Sequence, residues 1–440
     1  MPMKEDLIEI LGKENVFDDE ETLRKYSSDH SFESPQTAAL VVFAQNVEQV
    51  QEVIRYANEK EVPVVPSSSS LNLHGAAVSK KGGILLNLLK MNQVIDVDEE
   101  NRLVVIEPGV TFSQLQDELE KKRLRVMIPF GAHPDCSVIS SWVERDPVLA
   151  PLSLECGNDL LMNAESVLPD GNFFRTGLWF SEGNSGSHVG SVQATMGVIT
   201  RACFKVETLP AERKIYALQF ESFNEVIEPL KLIQSSEAGF ECFLLNHFNM
   251  AALFSVSWRV PSEFPAQKLS SNDFESLRSR VPIWTLIVCL SGGSELGAER
   301  IAYQKDVLEK ISLKMNLLPY NVTDQEEFLL KEMLRPWNIL KKFCFRGSVY
   351  DLSFKAPLKR VPEFQKTIVE TAEKYGYSRE DIGGYILPIE HGRAVYCKFD
   401  FHCNPDDADE KERIKNLWLD ASEKLVKAGA FFDRSLSMQI

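Results

Sequence analysis

Cysteine, histidine and arginine are the side chains here whose type could support metal, redox or anion chemistry. The eight cysteines are scattered singly, and none forms a CxxC pair. Cys397 and Cys403 come closest, but the five residues between them on a strand-like segment make a poor spacing for a metal knuckle. We therefore expect no metal site and no iron–sulfur cluster, and we expect reduced cysteines that pack in the interior.

A charged cluster lies near the end of the chain, in the segment PIEHGRAVYCKFDF (388–401). Glu390, His391 and Arg393 could contact a carboxylate or a phenol. Surface residues at the start of a strand explain the same pattern equally well. Arg393 is kept as a candidate catalytic residue.

Charge and hydropathy exclude several classes of protein. The 440 residues carry 48 Lys and Arg against 64 Asp and Glu, a formal charge of -16. A surface this acidic repels nucleic acid phosphates and anionic membranes, so neither is an expected partner. No run approaches the ~20 apolar residues of a membrane span, and the acidic start MPMKEDLIEILGKENVF lacks signal-peptide features. The expected location is the cytoplasm.

The first half alternates helix and strand signals. VEQVQEVIRYANEK (47–60) has helical periodicity and follows Asn46, a good helix cap. VPVVP (62–66), GGILLNLL (82–89) and RLVVIEPGV (102–110) are typical of strands, and a helix is expected over 111–124. No GxGxxG follows the first strand, so the pattern is α+β and not a doubly wound dinucleotide fold.

The second half consists of longer strand-then-helix units. Four of them occur, over 215–234, from Trp284 to Met315, over 350–375 and over 394–429. Four such units predict one antiparallel sheet with helices on one face, which leaves the other face free to cover something. The polar stretch 261–276 is expected to be a loop within this half.

Four segments together carry a specific pattern. They are LLKMNQVIDVDEENRLVVIEPGVTFSQLQDEL (88–119), MNAESVLPDGNFFRTG (162–177), SVQATMGVITRACFKVETLP (191–210) and KLVKAGAFFDRSLSM (424–438). On these segments the chain resembles a divergent member of the vanillyl-alcohol oxidase / p-cresol methylhydroxylase family of FAD-linked oxidases. The resemblance implies a PCMH-type FAD-binding domain of two α+β subdomains and a cap domain over the flavin. It also implies hydride transfer from a small substrate to flavin N5, with FAD as cofactor.

The resemblance assigns candidate cofactor-binding residues. PSSSSLNLHG (66–75) occupies the place of the family's glycine-rich pyrophosphate loop, where backbone N–H groups curl around phosphates. A polar loop that binds nothing is the alternative, and a plain turn or structural strand explains the later members as well. The candidates are Ser67, Ser68, Ser69, Ser70, Asn72 and Gly75 in the loop, Pro108 and Gly109 in a turn, and Gln193, Gly197 and Ile199 on a strand.

The resemblance also assigns candidate catalytic residues. Asp159 stands near the place of an acidic group close to flavin N5, and a solvated turn aspartate is the alternative. His74 stands near the place of a phenol-binding tyrosine. Arg434 matches the arginine that stabilises phenolate, but Asp433 replaces its tyrosine partner and would pair with Arg434. The chain stops at Ile440, where relatives continue.

Two hypotheses of function follow. The first is an FAD-dependent oxidoreductase that moves a hydride from a small aromatic alcohol, a 4-alkylphenol or a 2-hydroxy acid to flavin N5. The second is a catalytically degenerate paralogue that acts as a structural or regulatory subunit of a flavoenzyme complex. Serine for glycine in the loop, and Asp433 for tyrosine, favour the second. A third hypothesis is a different anionic ligand in the vacated cleft.

The expected domain limits are 1–212 for the FAD-binding domain and 213–414 for the cap. Residues 415–440 are expected to form a C-terminal helix and tail that return to the FAD domain. The expected partners are a small-molecule substrate and a homologous or electron-transfer subunit, and an oligomer is expected by analogy.

Overall fold

A computed structural model describes residues 2–29, 31–71, 75–149, 160–176, 178–179, 184–185, 197–293 and 295–432. The helices are α1 (Pro2–Leu11), α2 (Glu20–Lys25), α3 (Val47–Glu59), α4 (Phe112–Glu120), α5 (Val138–Val143), α6 (Phe223–Ser235), α7 (His247–Phe254), α8 (Asn272–Arg278), α9 (Gly297–Met315), α10 (Glu326–Leu334), α11 (Val361–Lys374) and α12 (Ala408–Lys427). Among the described residues, no helix is both long and apolar enough to cross a membrane.

The strands cover both halves of the chain. They are β1 (Val16–Phe17), β2 (Leu40–Phe43), β3 (Val64–Ser67), β4 (Ile84–Asn87), β5 (Val94–Asp98), β6 (Leu103–Ile106), β7 (Leu124–Arg125), β8 (Leu161–Val167), β9 (Phe173–Arg175), β10 (Leu178–Trp179), β11 (Asn184–Ser185), β12 (Val198–Lys205), β13 (Glu207–Thr208), β14 (Glu212–Phe220), β15 (Glu241–Asn246), β16 (Trp284–Gly292), β17 (Leu318–Pro319), β18 (Ser348–Ala356), β19 (Gly383–Ile389) and β20 (Ala394–Cys403). The class is α+β, as predicted.

Two sheets organise the N-terminal half. The first has the strand order β1-β2-β4-β3, with β4 parallel to both β2 and β3. The second has the order β5-β6-β12-β8-β9 and is antiparallel. Helix α3 forms where its pattern predicts, because the Asn46 side chain accepts a hydrogen bond from the Gln49 amide. Its buried residues Val50, Val53 and Ala57 lie one helical turn apart and pack on the first sheet.

The C-terminal half is built on one seven-stranded antiparallel sheet, called here the cap sheet. Its order is β17-β14-β16-β15-β19-β20-β18. The four predicted strand–helix units supply β14, β16, β18 and β20 with helices α6, α9, α11 and α12. The antiparallel sheet is therefore as predicted. Strands β15 and β19, which add to it, are buried at every position.

The two faces of the cap sheet have different coverings. Helices α6, α9, α11 and α12 pack on one face in a large apolar core. The opposite face packs against Phe130 and Leu149 of the N-terminal half, together with residues of α7 and α10. This second face therefore covers the N-terminal half, which is what a sheet with one free face allows.

One segment differs from its predicted placement, and the C-terminal helix has contacts with the cap. Helix α12 packs on the helical face of the cap sheet through Ile414, Leu417 and Leu425, so the helical part of 415–440 joins the core of the cap. Its Trp418 also contacts Phe32 of the N-terminal half, with ring centroids 6.2 Å apart. Residues 272–276, predicted as loop, begin α8, because Ser271 caps that helix by accepting from the Phe274 amide. The predicted domain limits stay a prediction.

A buried ion pair joins the two halves. Arg125 of β7 and Glu241 of β15 lie 2.5 Å apart, and their side chains are 2% and 0% exposed. Arg125 also stacks over the ring of Phe240, at 5.3 Å. Because both charges are out of water, each depends on the other for compensation.

Replacing Glu241 with glutamine leaves Arg125 buried without a counter-charge. We expect the free energy of unfolding, measured by urea denaturation, to fall by about 3–5 kcal/mol. The matched control is Asp306→Asn, which breaks the exposed pair with Lys310 and should cost less than about 1 kcal/mol. A loss for Glu241→Gln as small as that of the control would contradict a role for the pair in joining the halves.

Candidate functional site

The serine-rich loop follows β3 at the edge of the parallel sheet. The Ser68 hydroxyl donates to the Pro108 carbonyl at 2.6 Å, and the Ser67 and Ser70 hydroxyls lie 3.0 Å apart, within hydrogen-bond distance. These hydroxyls are therefore engaged inside the protein. The backbone N–H groups of Ser69, Ser70 and Leu71 make no hydrogen bond to any residue that the structure describes. Ser70 adopts a left-handed φ of 56°, which bends the loop.

The predicted turn at Pro108 and Gly109 lies directly against this loop. A second hydroxyl, from Ser137, donates to the same Pro108 carbonyl at 2.6 Å. A β-carbon at Gly109 would lie 2.5 Å from the Leu89 carbonyl oxygen, so only glycine allows this close approach of two backbone segments. The loop and the turn thus form one rigid unit.

The remaining described candidates lie outside the contact between Ser68 and the Pro108–Gly109 turn. Gly197 lies with Pro66 and Val198 in a surface cleft beside the end of β3. Ile199 is buried in the core of the second sheet. Gly75, with φ of 80°, is buried beside Ser31 and Glu33. Arg393 is exposed and is not among the cavity-lining residues described below.

Several predicted residues lie outside the described ranges. They are Asn72, His74, Asp159, Gln193, Asp433 and Arg434. Their roles stay predictions.

A cavity lies where the second face of the cap sheet meets the N-terminal half. Leu71, at the end of the serine-rich loop, and Cys136 line it from one side. Its aromatic wall includes Phe130, whose ring stacks on Tyr385 with centroids 4.9 Å apart and planes at 15°. The phosphate-loop candidate and the cap therefore share one cavity.

Charged residues of the cap line this cavity and were not found from the sequence. Lys342 lies 2.8 Å from Asp400, and Lys398 lies 3.6 Å from Asp351. Asp351 and Asp400 are directly opposite in the register of β18 and β20. Two like charges at that spacing would repel each other without the lysines. This face of the cap sheet can therefore be buried only because the two lysines neutralise the two aspartates.

The strand β20 did carry a signal for this wall. Tyr396, Lys398 and Asp400 alternate with apolar residues, which by itself predicts a half-exposed strand with a polar face toward water. Because the N-terminal half covers that face, the polar residues line a cavity and not the surface. Whether a polar strand face is exposed depends on how the other half of the chain docks on it. The local sequence pattern carries no information on that docking.

Burial sets the protonation of the cavity wall. It raises the pKa of Tyr385 well above its usual value, so its hydroxyl stays neutral. Burial lowers the pKa of Lys342, and Asp400 opposes that shift without cancelling it. Burial also acts to lower the pKa of Lys398, but Asp351, Tyr396 and Asp400 outweigh it, so the pKa lies above its ordinary value.

A buried carboxyl group fixes the segment that carries Lys342. This segment is the 3-10 helix Asn338–Phe345. The Glu332 side chain accepts from the backbone amide and the side-chain amide of Asn338, both at 2.9 Å. Burial raises the pKa of Glu332 to about 7, and the Asn338 hydrogen bonds oppose the shift.

Comparison with known proteins agrees with this geometry. A model of the FAD binding domain family matches residues 38–177. The 4-cresol dehydrogenase (hydroxylating) flavoprotein subunit of Pseudomonas putida is 29% identical over 245 residues, which cover 50% of this chain and 45% of that protein. A crystal structure of p-cresol methylhydroxylase with substrate bound matches with a TM-score of 0.82 at 17% identity, over 98% of this chain and 88% of that one.

Residues 38–177 thus match the FAD binding domain family, and the chain has the fold of p-cresol methylhydroxylase.

Another flavoenzyme relative is the glycolate oxidase subunit GlcD of Bacillus subtilis (strain 168), 29% identical over 228 residues, or 50% of this chain and 48% of that protein. The matches thus span about half the length of these two relatives. FAD is the cofactor of this family of domains. The described residues fit it, because the consecutive N–H groups of Ser69, Ser70 and Leu71, which bond to none of the described residues, are the donors that a pyrophosphate needs.

The raised pKa of Glu332 predicts a pH-dependent stability. An unfolded glutamate ionises near its ordinary value of 4.5, whereas the folded group ionises near 7. The stabilisation from the neutral group is therefore fully present below pH 4.5 and is lost as the pH rises through about 7. Between those values, the free energy of unfolding of the wild type should fall relative to Glu332→Gln by about 1 kcal/mol per pH unit.

Urea denaturation at a series of pH values measures this difference. The control is Glu327→Gln on the same helix, where the carboxylate is exposed and pairs with Lys331. The free energy of unfolding of Glu327→Gln should change with pH in parallel with that of the wild type over this range. If the difference in free energy of unfolding between wild type and Glu332→Gln stayed constant with pH, that result would contradict the raised pKa of Glu332.

Proposed function

We propose that this protein is an FAD-dependent oxidoreductase that removes a hydride from a small aromatic alcohol, a 4-alkylphenol or a 2-hydroxy acid. The observation that carries the proposal is the cavity itself. One side is lined by Leu71 at the end of the phosphate-loop candidate, and the other by buried polar side chains of the cap. A cavity placed in this way brings a small substrate and a bound flavin together.

The N-terminal half supplies the cofactor site. The N–H groups of Ser69, Ser70 and Leu71 donate to the pyrophosphate, and the Pro108–Gly109 turn holds the loop in shape through the Ser68 hydroxyl. The serine hydroxyls have a structural role here, because they bond within the protein. Loss of the family's glycines is therefore compatible with phosphate binding by the main chain.

The cap supplies the substrate site. Phe130 and Tyr385 form an aromatic wall, and Lys342, Lys398 and Asp400 add polar groups in a largely dry environment. Bound FAD supplies the hydride acceptor, flavin N5. The residues of the cap orient the substrate and exclude water, which protects the hydride transfer.

A negative charge placed in the serine-rich loop should weaken cofactor binding. Ser70→Asp puts a carboxylate beside the expected phosphates, and aspartate tolerates the left-handed φ of 56° at this position. We expect the dissociation constant for FAD to rise roughly tenfold or more. The matched control is Ser70→Asn, which has nearly the same shape and backbone preference but no charge. Equal FAD retention by the two variants, measured by flavin absorbance per protein, would contradict this site.

Reduction of the flavin by substrate tests the activity. The purified protein, supplemented with FAD, is mixed anaerobically with 4-methylphenol, benzyl alcohol or D-lactate. We expect the oxidised flavin band to bleach with one of these classes, because a hydride from the substrate reduces the ring. A protein that stays free of flavin after incubation, or a flavin that none of the three reduces, would support the inactive-subunit alternative instead.

A partner polypeptide is a second part of the proposal. The relatives from Bacillus subtilis and Pseudomonas putida are both named as subunits. An electron-transfer or homologous subunit would then accept the electrons from the reduced flavin. To test this, the chain is co-expressed with a candidate subunit and the molar mass of the purified species is measured by light scattering. A complex larger than this chain alone would support a partner subunit.

A further inference from the structure

One carboxylate in the cap wall stands out by its environment. Asp400 is 0% exposed and is one of the residues that line the cavity. Its Oδ2 atom accepts from the Lys342 ammonium at 2.8 Å and from the Asn249 side-chain amide at 3.2 Å. Both donors therefore meet on the same oxygen.

The other oxygen of this carboxylate is left as an acceptor. Asp400 Oδ1 is buried and has no hydrogen-bond partner among the described residues. The Tyr385 hydroxyl, also in the cavity wall, is likewise buried without a partner among them. Leaving such polar atoms unpaired in a buried wall costs free energy that a bound donor would recover.

The protein makes room for this arrangement at Gly383. A β-carbon there would lie 2.6 Å from Asp400 Oδ2 and 2.8 Å from Asn249 Oδ1. Gly383 is directly opposite Asp400 in the register of β19 and β20. Only glycine at this position lets the carboxylate and the amide share the space above the strand.

The charges around the cavity disfavour a second anion. Glu144, Asp146, Asp351 and Asp400 line it, against two lysines. Lys342 and Lys398 are each already paired with an aspartate of the wall. A substrate carboxylate would have to compete with Asp400 for Lys342, next to the free Oδ1 atom, at a cost in like-charge repulsion.

We propose that Asp400, held by Lys342 and Asn249, is a substrate-recognition residue whose free oxygen accepts a hydrogen bond from a neutral hydroxyl group. The inference deepens the proposed function, because the ligand is the substrate of the same cavity. It selects a hydroxyl-bearing aromatic molecule over a 2-hydroxy acid. The hydroxyl is recognised as a neutral donor to a carboxylate, and the ring packs on Phe130 and Tyr385.

Ligand titration of the full-length, FAD-supplemented protein tests the inference. Isothermal calorimetry compares 4-methylphenol with 4-fluorotoluene, which has nearly the same shape but no donor, and with the anion 4-methylbenzoate. We expect the phenol to bind roughly tenfold or more tightly than either, which is the effect of one hydrogen bond to a charged acceptor. Binding of either comparison ligand within about threefold of the phenol, or no binding of the phenol, would overturn the inference.

Two variants assign the effect to the residue. In Asp400→Asn the amide oxygen turns to Lys342, so an uncharged N–H donor replaces the charged acceptor. The phenol oxygen can still accept from that N–H, but this bond is weaker, so the preference for phenol over 4-fluorotoluene should fall. The control is Asp420→Asn, which removes an aspartate paired with Lys374 and Lys424 on α12 and should keep the preference. An Asp400 variant that keeps the full preference would overturn the assignment.

The test separates this inference from the proposed oxidation. Calorimetry needs no flavin reduction, so a protein that prefers the phenol but never bleaches supports the recognition site and contradicts the activity. A protein whose flavin is reduced by D-lactate, and which binds 4-methylbenzoate as tightly as 4-methylphenol, supports the activity and contradicts the recognition site. If Asp400→Asn fails to fold, the wild-type comparison of the three ligands still decides.

Discussion

Two aspartates that face each other across neighbouring strands impose the main constraint on this molecule. Asp351 and Asp400 lie opposite in register on β18 and β20, on a sheet face that the N-terminal half covers. Buried like charges at that spacing are stable only with counter-charges close by. Lys398 comes from the same strand as Asp400, but Lys342 must be delivered by a separate segment. The 338–345 segment, anchored by buried Glu332, is what delivers it.

Paired charges also hold the two halves of the chain together. This attachment protects the cavity between them. Arg125 and Glu241 pair out of water, and Arg335 pairs with Asp117 and Glu120 at 2.7 and 2.8 Å. The stacking of Phe130 on Tyr385 adds apolar contact between the two halves. Contacts of this kind hold the cap at a fixed position over the serine-rich loop, and a fixed position is needed where a substrate must meet a cofactor within a few ångströms.

Local sequence signals predicted the local structure well. Asn46 caps α3 as expected, and the four strand–helix units of the second half all contribute strands to one antiparallel sheet. The serine-rich loop and the Pro108–Gly109 turn, which the family resemblance singled out, are in direct contact. These features follow from short-range patterns or from a resemblance carried by continuous motifs.

The polar wall of the cavity was not predictable in the same way. Lys398 and Asp400 have the spacing of an exposed strand face, and Lys342 lies in a short 3-10 helix. Their burial is decided by the docking of Phe130 and its neighbours from a distant part of the chain. The ion pair between Lys342 and Asp400 joins residues 58 positions apart in the chain. No local sequence pattern specifies such a contact.

A crystal structure of the FAD-loaded protein with 4-methylphenol tests the central claim most directly, namely that the second face of the cap sheet is the substrate wall. We expect the aromatic ring beside Phe130 and Tyr385, with the hydroxyl oxygen of the phenol about 2.5–3.0 Å from Asp400 Oδ1. A phenol bound elsewhere, or one whose hydroxyl faces away from Asp400 while its ring occupies the cavity, would contradict it.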